Sequence, residues 1–422
     1  MLAINGGQQA VTTPFVRYNS IGKEELVAAT EVIESGVLSK FLGSWDPDFY
    51  GGPKIQEFER QWADWFGVKH AITVNSWTSG LIAAVGALGI EPGDEVIVSP
   101  WTMAASATAI LHWNAIPVFA DIDPMTFNID PESIRRNISP YTKAIMAVDI
   151  FGQSADLDEI GLIASEYGLK VITDCAQSPG ALFNGAYAGT MADIGGYSLN
   201  YHKHIHTGEG GVLVTNDDEL AERMQLIRNH AEAVVGQKGV VNLVNMIGYN
   251  FRLGEIEAAI GIEQLKKLSK IVAERQNIAE ALRKGLAGLA GLTLPYVDKR
   301  STHSYYVFGM KIDASITGVS REIIHNALTA EGVPGLAIGY TNLHLLPMYQ
   351  QKIAYGSKGF PWSSDICHRE VSYDRGICPV AENINDKELL GFEMCAYEIS
   401  STNISEIVNA FHKVWAGLKD LA

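Results

Sequence analysis

Cysteine, basic residues and long apolar runs are all scarce in this sequence of 422 residues. The 4 cysteines lack the paired spacing of a metal site, so we expect reduced thiols in a cytoplasmic protein rather than a disulfide framework. No apolar run reaches the roughly 18 residues that a membrane span needs. The first residues carry neither a basic region nor a long apolar core, so we also expect no signal peptide.

Positive charge is the scarcer sign. Lys and Arg total 32 against 48 Asp and Glu, which gives a formal net charge of −16. An acidic surface repels phosphate backbones, so we do not expect general nucleic-acid binding, although a local basic pocket could still bind a small anion. Hydrophobic residues make up 47% of the chain, which is enough to bury a large core. At about 100–200 residues per domain, the length suggests two or three domains.

Short apolar runs alternate with amphipathic helical segments between residues 70 and 216. The runs are residues 70–74, 95–98, 116–120, 144–148, 170–173, 194–198 and 212–214. Continuous apolar strands that alternate with helices are typical of a parallel sheet covered on both faces. The sequence therefore predicts an α/β fold whose ligand site lies beyond the carboxyl ends of the strands.

After residue 216 the pattern changes. Residues 218–229 and 255–286 have helical periodicity, and the second stretch is long enough to connect two domains. Later strand-like pieces, such as residues 305–310, alternate with further helices and predict a smaller α+β domain. We therefore expect an N-terminal arm and a large domain over residues 1–250, followed by a connecting helix and a small domain over residues 251–422.

Polar residues follow several of the apolar runs. Residues 75–80 place hydroxyl side chains where a helix opens, and such an N-terminus can hold a phosphate, although an ordinary N-cap looks the same. Trp101 follows the second run and could stack on a planar ligand or lie in the core. Asp174 follows the fifth run, and its carboxylate could pair with a protonated ring nitrogen of a cofactor or cap a turn.

Lys203 follows the sixth run, between His202 and His204 and close to a glycine-rich turn. Burial and cationic neighbours would lower the pKa of this amine and make it a better nucleophile. The His-x-His-x-His spacing also resembles a metal motif, but no carboxylate completes the ligand set, so we expect no metal. A phosphate anchor, an aromatic plate, a carboxylate and an amine together are what a pyridoxal phosphate (PLP) site requires.

Several short motifs follow one another in a fixed order along the chain. They are Gly51-Gly52-Pro53 with Glu57-Phe58-Glu59, residues 88–98, Asp121-Ile122-Asp123-Pro124, Phe151-Gly152-Gln153, Asp174-Cys175-Ala176-Gln177, Thr207-Gly208-Glu209-Gly210-Gly211, Arg228-Asn229-His230 and Gly248-Tyr249-Asn250-Phe251-Arg252. In this order they resemble the DegT/DnrJ/EryC1/StrS family of sugar aminotransferases, and the resemblance covers nearly the whole chain from Phe49 onward. It implies fold-type I of the PLP enzymes, with a mostly parallel seven-stranded sheet, helices on both faces and a smaller α+β C-terminal domain. It also implies a homodimer whose subunits share their active sites.

The resemblance implies roles for individual residues as well. Lys203 corresponds to the lysine that forms a Schiff base with PLP, and Asp174 corresponds to the partner of its ring nitrogen. The other cofactor contacts that it implies are Thr78, Ser79 through its backbone, Trp101, Gln177, Ser198 and, from the other subunit, Asn250. The substrate contacts are Tyr340, His344 and Trp77, the last expected at the mouth of the site where the family usually has glycine.

From the resemblance we expect PLP-dependent transfer of an amino group from glutamate or glutamine to a keto-sugar, carried on a nucleotide, in amino-sugar biosynthesis. One alternative within the family is amination or dehydration of a keto-cyclitol or of a natural-product intermediate. Another alternative is a non-catalytic sensor that keeps the PLP fold. The presence of both Asp174 and Lys203 disfavours the sensor.

Overall fold

The computed structural model describes residues 1–421. Its α-helices are α1 Lys23–Ser35, α2 Pro53–Phe66, α3 Trp77–Ala87, α4 Ala104–His112, α5 Pro131–Asn137, α6 Leu157–Tyr167, α7 Asp218–Arg228, α8 Ala231–Lys238, α9 Glu255–Leu286, α10 Ala314–Thr317, α11 Arg321–Ala330, α12 Pro347–Gln350, α13 Pro379–Asn383 and α14 Ser401–Ala416. Its strands are β1 Val16–Arg17, β2 His70–Val74, β3 Glu95–Val98, β4 Ile116–Phe119, β5 Thr142–Val148, β6 Lys170–Asp174, β7 Leu182–Phe183, β8 Ala186–Tyr187, β9 Ile194–Ser198, β10 Gly211–Thr215, β11 Leu292–Thr293, β12 Val307–Ile312, β13 Leu336–Ala337, β14 Leu389–Glu393 and β15 Tyr397–Glu398. Every helix in this part of the chain is too short or too polar to cross a membrane.

A seven-stranded sheet in the order β2-β10-β9-β6-β5-β3-β4 forms the centre of the first half of the chain. Strand β10 runs antiparallel to both of its neighbours, and all other neighbouring strands are parallel. The side chains of β10 alternate between two cores, because Leu213 packs with helices α3, α4 and α7 whereas Val212 and Val214 pack with α2 and α9. Helices thus cover both faces, which explains why the strands are apolar on both sides.

The predicted fold class is confirmed by this sheet. All seven apolar runs form its strands, and α9 has the predicted bounds. The strand expected over residues 305–310 begins instead at Val307. Tyr305 has a positive φ of 53°, which lies outside the extended region, so the strand cannot start before it.

The sheet brings three chain segments to one edge. Strand β6 is parallel to β9, with Asp174 opposite Gly196, so Asp174 and the loop after Ser198 emerge together. Strand β2 points the same way as β9, because both are antiparallel to β10 between them. The N-terminus of α3, which follows β2, therefore opens at the same edge, where parallel α/β sheets hold their ligands.

The C-terminal region is built on a second, antiparallel sheet in the order β11-β12-β14-β13. Its core includes residues of α9, α11 and α14, and Leu2 and Val11 from the N-terminal segment join it. Between β13 and β14, however, Tyr349 and Tyr373 pack against Phe119 of the central sheet. The predicted domain boundary at residue 250 stays a prediction, and these contacts tie the two regions together.

Candidate active site

Lys203 lies in the loop that follows β9, and its side chain is buried with 7% of its surface exposed. The ammonium nitrogen lies 4.4 Å from the ring centroid of Tyr306. Burial lowers the pKa of Lys203 to about 8, although the nearby Asp174 and Cys395 act in the opposite direction. A larger fraction of this amine is therefore unprotonated at neutral pH than in an exposed lysine.

Asp174 ends strand β6, and its carboxylate accepts three hydrogen bonds. Oδ1 accepts from the indole N–H of Trp77 at 2.7 Å and from the backbone N–H of Ala176 at 3.2 Å. Oδ2 accepts from the hydroxyl of Ser106 at 2.8 Å. A carboxylate has about four lone-pair directions, so one position on Oδ2 stays open after these contacts.

A cavity of about 210 Å³ lies between these groups. Seven of the predicted site residues line it: Trp77, Thr78, Asp174, Gln177, Ser198, Lys203 and Tyr340. A second cavity of about 340 Å³ shares His202, Tyr306 and Tyr340 with it. The structure therefore brings most of the predicted residues together at the expected edge of the sheet.

The start of α3 supplies one end of the cavity. Ser76 has extended backbone angles, and its hydroxyl accepts a hydrogen bond from the N–H of Ser79 at 3.1 Å, which caps the helix. The backbone N–H of Ser79, which was predicted to contact the phosphate, thus already has a hydrogen-bond partner within the chain. The side chain of Thr78 is exposed at this N-terminus, where the helix dipole favours an anion.

Gln177 lines the cavity, and both the oxygen and the nitrogen of its amide group are hydrogen-bonded. Its Oε1 accepts a hydrogen bond from the backbone N–H of Phe151 at 2.8 Å. Its Nε2 donates to the hydroxyl of Tyr340 at 3.3 Å. The side chain of Gln177 is therefore fixed, and it holds the predicted substrate residue Tyr340 at the rim.

Trp101, the predicted stacking residue, does not line this cavity. Its ring is fully buried, and its indole N–H donates to Asn385 Oδ1 at 3.1 Å. An antiparallel β-bridge pairs the backbone of Trp101 with that of Asn342, which lies in the segment after β13. Met103, which the sequence reasoning missed, lines the cavity instead and is 63% exposed.

His344, a predicted substrate contact, does not line either cavity. The imidazole is fully buried, and its Nε2 lies 2.9 Å from Glu382 Oε1. The reason is the short 3-10 turn Leu343–Leu345, which begins where the N–H of Leu343 donates to the carbonyl of Pro100. This turn directs His344 toward Phe119 in the core rather than toward the cavity.

Trp77 lines the cavity but does not lie at its mouth. Its side chain is only 6% exposed and packs against Gly80 and Gly196. Asn250, in contrast, is exposed and does not line the cavity of its own chain. Its Oδ1 accepts a hydrogen bond from Arg252 Nε at 2.7 Å, and its predicted contact across a dimer stays a prediction.

The three histidines around Lys203 face different surroundings. Nε2 of His204 lies 2.8 Å from the carbonyl oxygen of Ser304, and Nδ1 of His206 accepts from the N–H of Gly208. His202 lines the cavity, and burial lowers its pKa to about 4. Burial also lowers the pKa of His204 to about 3, so both rings are neutral at physiological pH.

Two functional contacts were not predicted from the sequence. Ser106 donates to Asp174 from α4, and Tyr306 covers Lys203 from the chain before β12. No local motif marks either residue, because both contacts join segments that are far apart in sequence. A hydroxyl in the helix after β3 was the one available signal for Ser106.

The chain is similar to proteins of known activity. It is 37% identical to the GDP-perosamine synthase of Caulobacter vibrioides over 302 residues, which cover 71% of this chain and 79% of that protein. It is 30% identical to the L-glutamine:2-deoxy-scyllo-inosose aminotransferase of Streptoalloteichus tenebrarius, with 98% and 97% coverage. An aminotransferase structure from Psychrobacter cryohalolentis superposes with a TM-score of 0.81 at 28% identity, covering 96% of this chain and all of that one.

Residues 20–385 match the DegT/DnrJ/EryC1/StrS aminotransferase family. The family match and the aminotransferases among the relatives are consistent with a cavity that contains both Lys203 and Asp174. The chain therefore belongs to the DegT/DnrJ/EryC1/StrS family and is a PLP-dependent aminotransferase.

Proposed function

We propose that this aminotransferase moves an amino group from glutamate or glutamine to a keto-sugar carried on a nucleotide. The observation that carries the proposal is the buried pair of Lys203 and Asp174 in one cavity, beside a larger cavity for an acceptor. Similarity to a GDP-perosamine synthase supports a nucleotide-linked acceptor. Similarity to a 2-deoxy-scyllo-inosose aminotransferase favours a second candidate, amination of a keto-cyclitol.

The residues of the cavity fit PLP. The open lone pair on Asp174 Oδ2 suits a protonated ring nitrogen, and the hydroxyls of Thr78 and Ser198 suit a phosphate near the start of α3. Lys203 supplies the amine. When bound, PLP supplies an aldehyde that bonds to amines and a ring that withdraws electrons from the amino acid α-carbon.

Lys203 has two tasks in this proposal. With a pKa of about 8, roughly one molecule in ten carries the free amine at pH 7, which is enough for attack on a carbonyl carbon. Once the amine of the amino donor has displaced Lys203, the lysine nitrogen could take a proton from the α-carbon of the donor and deliver it to the carbon that was the aldehyde of the cofactor. The ring of Tyr306 keeps the charged form of Lys203 in place meanwhile, through a cation–π contact.

Asp174 has an electrostatic task. Its negative charge would hold a proton on a ring nitrogen that faces Oδ2. The N–H groups of Trp77 and Ala176 and the hydroxyl of Ser106 donate to this carboxylate and hold it in one orientation. Since both amino donor and keto acceptor would react in this one cavity, we expect ping-pong kinetics.

We also propose a homodimer with shared sites. Asn250 is exposed and does not line the cavity of its own chain. The segment before it exposes apolar side chains, with Val241 95% exposed and both Leu243 and Ile247 more than half exposed. Contiguous exposed apolar residues are typical of a surface that a partner covers.

The first prediction identifies the lysine. Borohydride reduction of the PLP-loaded enzyme followed by peptide mapping should place the label on Lys203, because it is the lysine buried in the cavity. The Lys203→Ala variant should be inactive. The control is Lys270→Ala, since Lys270 is 82% exposed on α9 and should leave label and activity unchanged. A label on another lysine, or an active Lys203→Ala enzyme, would contradict the assignment.

The second prediction concerns the acceptor. Amine formation should be measured by mass spectrometry with three acceptors: a nucleotide-linked keto-sugar, the same sugar without its nucleotide, and a keto-inositol. We expect kcat/KM to be more than about tenfold higher for the nucleotide-linked sugar, because the nucleotide adds binding contacts. A preference for the keto-inositol would establish the second candidate instead. Amine formation from none of them, with either donor, would refute both.

The third prediction tests the shared site. Lys203→Ala and Asn250→Asp proteins, each inactive alone, should recover activity when mixed, because one of the two sites in each heterodimer carries neither change. Random exchange of equal amounts makes half of the dimers heterodimers, so recovery should approach about a quarter of native activity. No recovery after subunit exchange has been confirmed by mass spectrometry would show that each site is built within one chain.

A further inference from the structure

Trp77 occupies an unusual position for a residue at the first turn of a helix. Its indole passes beneath the cavity instead of out to solvent, and 6% of its surface is exposed. The indole N–H ends 2.7 Å from Asp174 Oδ1, which makes it the shortest of the three hydrogen bonds to this carboxylate. Trp77 therefore touches the residue proposed to face the cofactor ring.

Two glycines make the room for this indole. A Cβ at Gly80 would lie 2.6 Å from the Trp77 ring, and a Cβ at Gly196 would collide with it. Neither glycine has a positive φ, so space rather than backbone conformation is the reason for glycine at both positions. Gly80 lies on α3 and Gly196 on β9, so two separate elements are shaped around one side chain.

The two oxygens of Asp174 accept different numbers of hydrogen bonds. The N–H groups of Trp77 and Ala176 fill both lone pairs of Oδ1. Ser106 fills one lone pair of Oδ2 and leaves the other free. Without the indole, Oδ1 would keep only the longer bond from Ala176, and the carboxylate could turn about its last side-chain bond.

We propose that Trp77 is a positioning residue of the cofactor site. Its N–H saturates Oδ1 of Asp174 and thereby fixes the open lone pair of Oδ2 in the direction of the ring nitrogen of PLP. This inference rests on the proposed role of Asp174. Trp77 then orients the cofactor, whereas the sequence predicted a substrate contact for it.

Trp113 is a matched control for Trp77. It is also 6% exposed and lies in the same hydrophobic core. Its indole N–H donates one hydrogen bond, to the carbonyl of Ile82 at 2.8 Å, and Gly86 makes room for its ring. A Trp113→Phe change therefore removes the same atoms and one indole hydrogen bond without touching Asp174.

The experiment is a double-mutant cycle read by cofactor affinity. The dissociation constant of PLP is measured by absorbance titration of apoenzyme for native, Trp77→Phe and Trp113→Phe proteins, each with and without Asp174→Ala. With Asp174 present, Trp77→Phe should weaken PLP binding about tenfold more than Trp113→Phe does, the size expected for one hydrogen bond to a charged group. With Asp174→Ala in place, the two tryptophan changes should have equal effects, because no side-chain oxygen is left at position 174 to accept the indole N–H.

Each other outcome has a distinct meaning. Equal weakening by the two tryptophan changes, or tighter binding in Trp77→Phe, would show that Trp77 only packs and would overturn the proposal. An excess effect of Trp77→Phe that persists with Asp174→Ala would also overturn it, because Trp77 would then act through another group. If Asp174→Ala alone leaves PLP affinity unchanged, the proposed role of Asp174 fails, and this result is distinct from the other two.

A second measurement applies if Trp77→Phe does not fold. The 8 tryptophans of the native enzyme are labelled with ¹⁵N, and their indole N–H resonances are recorded by NMR. One resonance that persists in Trp113→Phe should shift both with Asp174→Asn and when PLP is added. No shifted indole resonance would contradict the proposal.

Discussion

The residues of the cavity are arranged around the hydrogen-bonded carboxylate of Asp174. A buried charge is costly unless it is paired, and three donors from three segments surround this one. Trp77 comes from α3, Ser106 from α4 and Ala176 from the loop after β6. The strand order of the sheet brings these segments together at one edge. Their donors there offset the free-energy cost of burying the carboxylate.

Lys203 lies at the same edge of the sheet, and burial lowers the pKa of its side chain. Its loop starts from β9, the parallel neighbour of β6, so the amine and the carboxylate share one cavity. Burial lowers the lysine pKa to about 8, and Tyr306 from the C-terminal half of the chain covers it. Residues of both halves of the chain thus surround the lysine, whereas the three hydrogen bonds to Asp174 come from the first half alone.

Much of this could be read from the sequence, because the signals are local. Seven apolar runs predicted the seven strands, and residues that follow strands, such as Asp174 and Lys203, were predicted to meet. The differences concern side-chain direction. The side chains of Trp101 and His344 lie in the core rather than against the cavity, because Trp101 pairs with Asn342 and the N–H of Leu343 donates to the carbonyl of Pro100. Contacts between distant segments, such as Ser106 with Asp174, leave no periodic signal.

We propose that Asp174 holds the ring nitrogen of the cofactor in its protonated state. The most direct test is the rate of the half-reaction with the amino donor, measured with saturating PLP in the Asp174→Asn enzyme. We expect a fall of about a hundredfold or more, because electrostatic stabilisation of a developing charge is commonly worth about 3 kcal/mol or more. The borohydride label on Lys203 should persist. A near-native rate with PLP bound would show that the ring nitrogen has another partner and would contradict the claim.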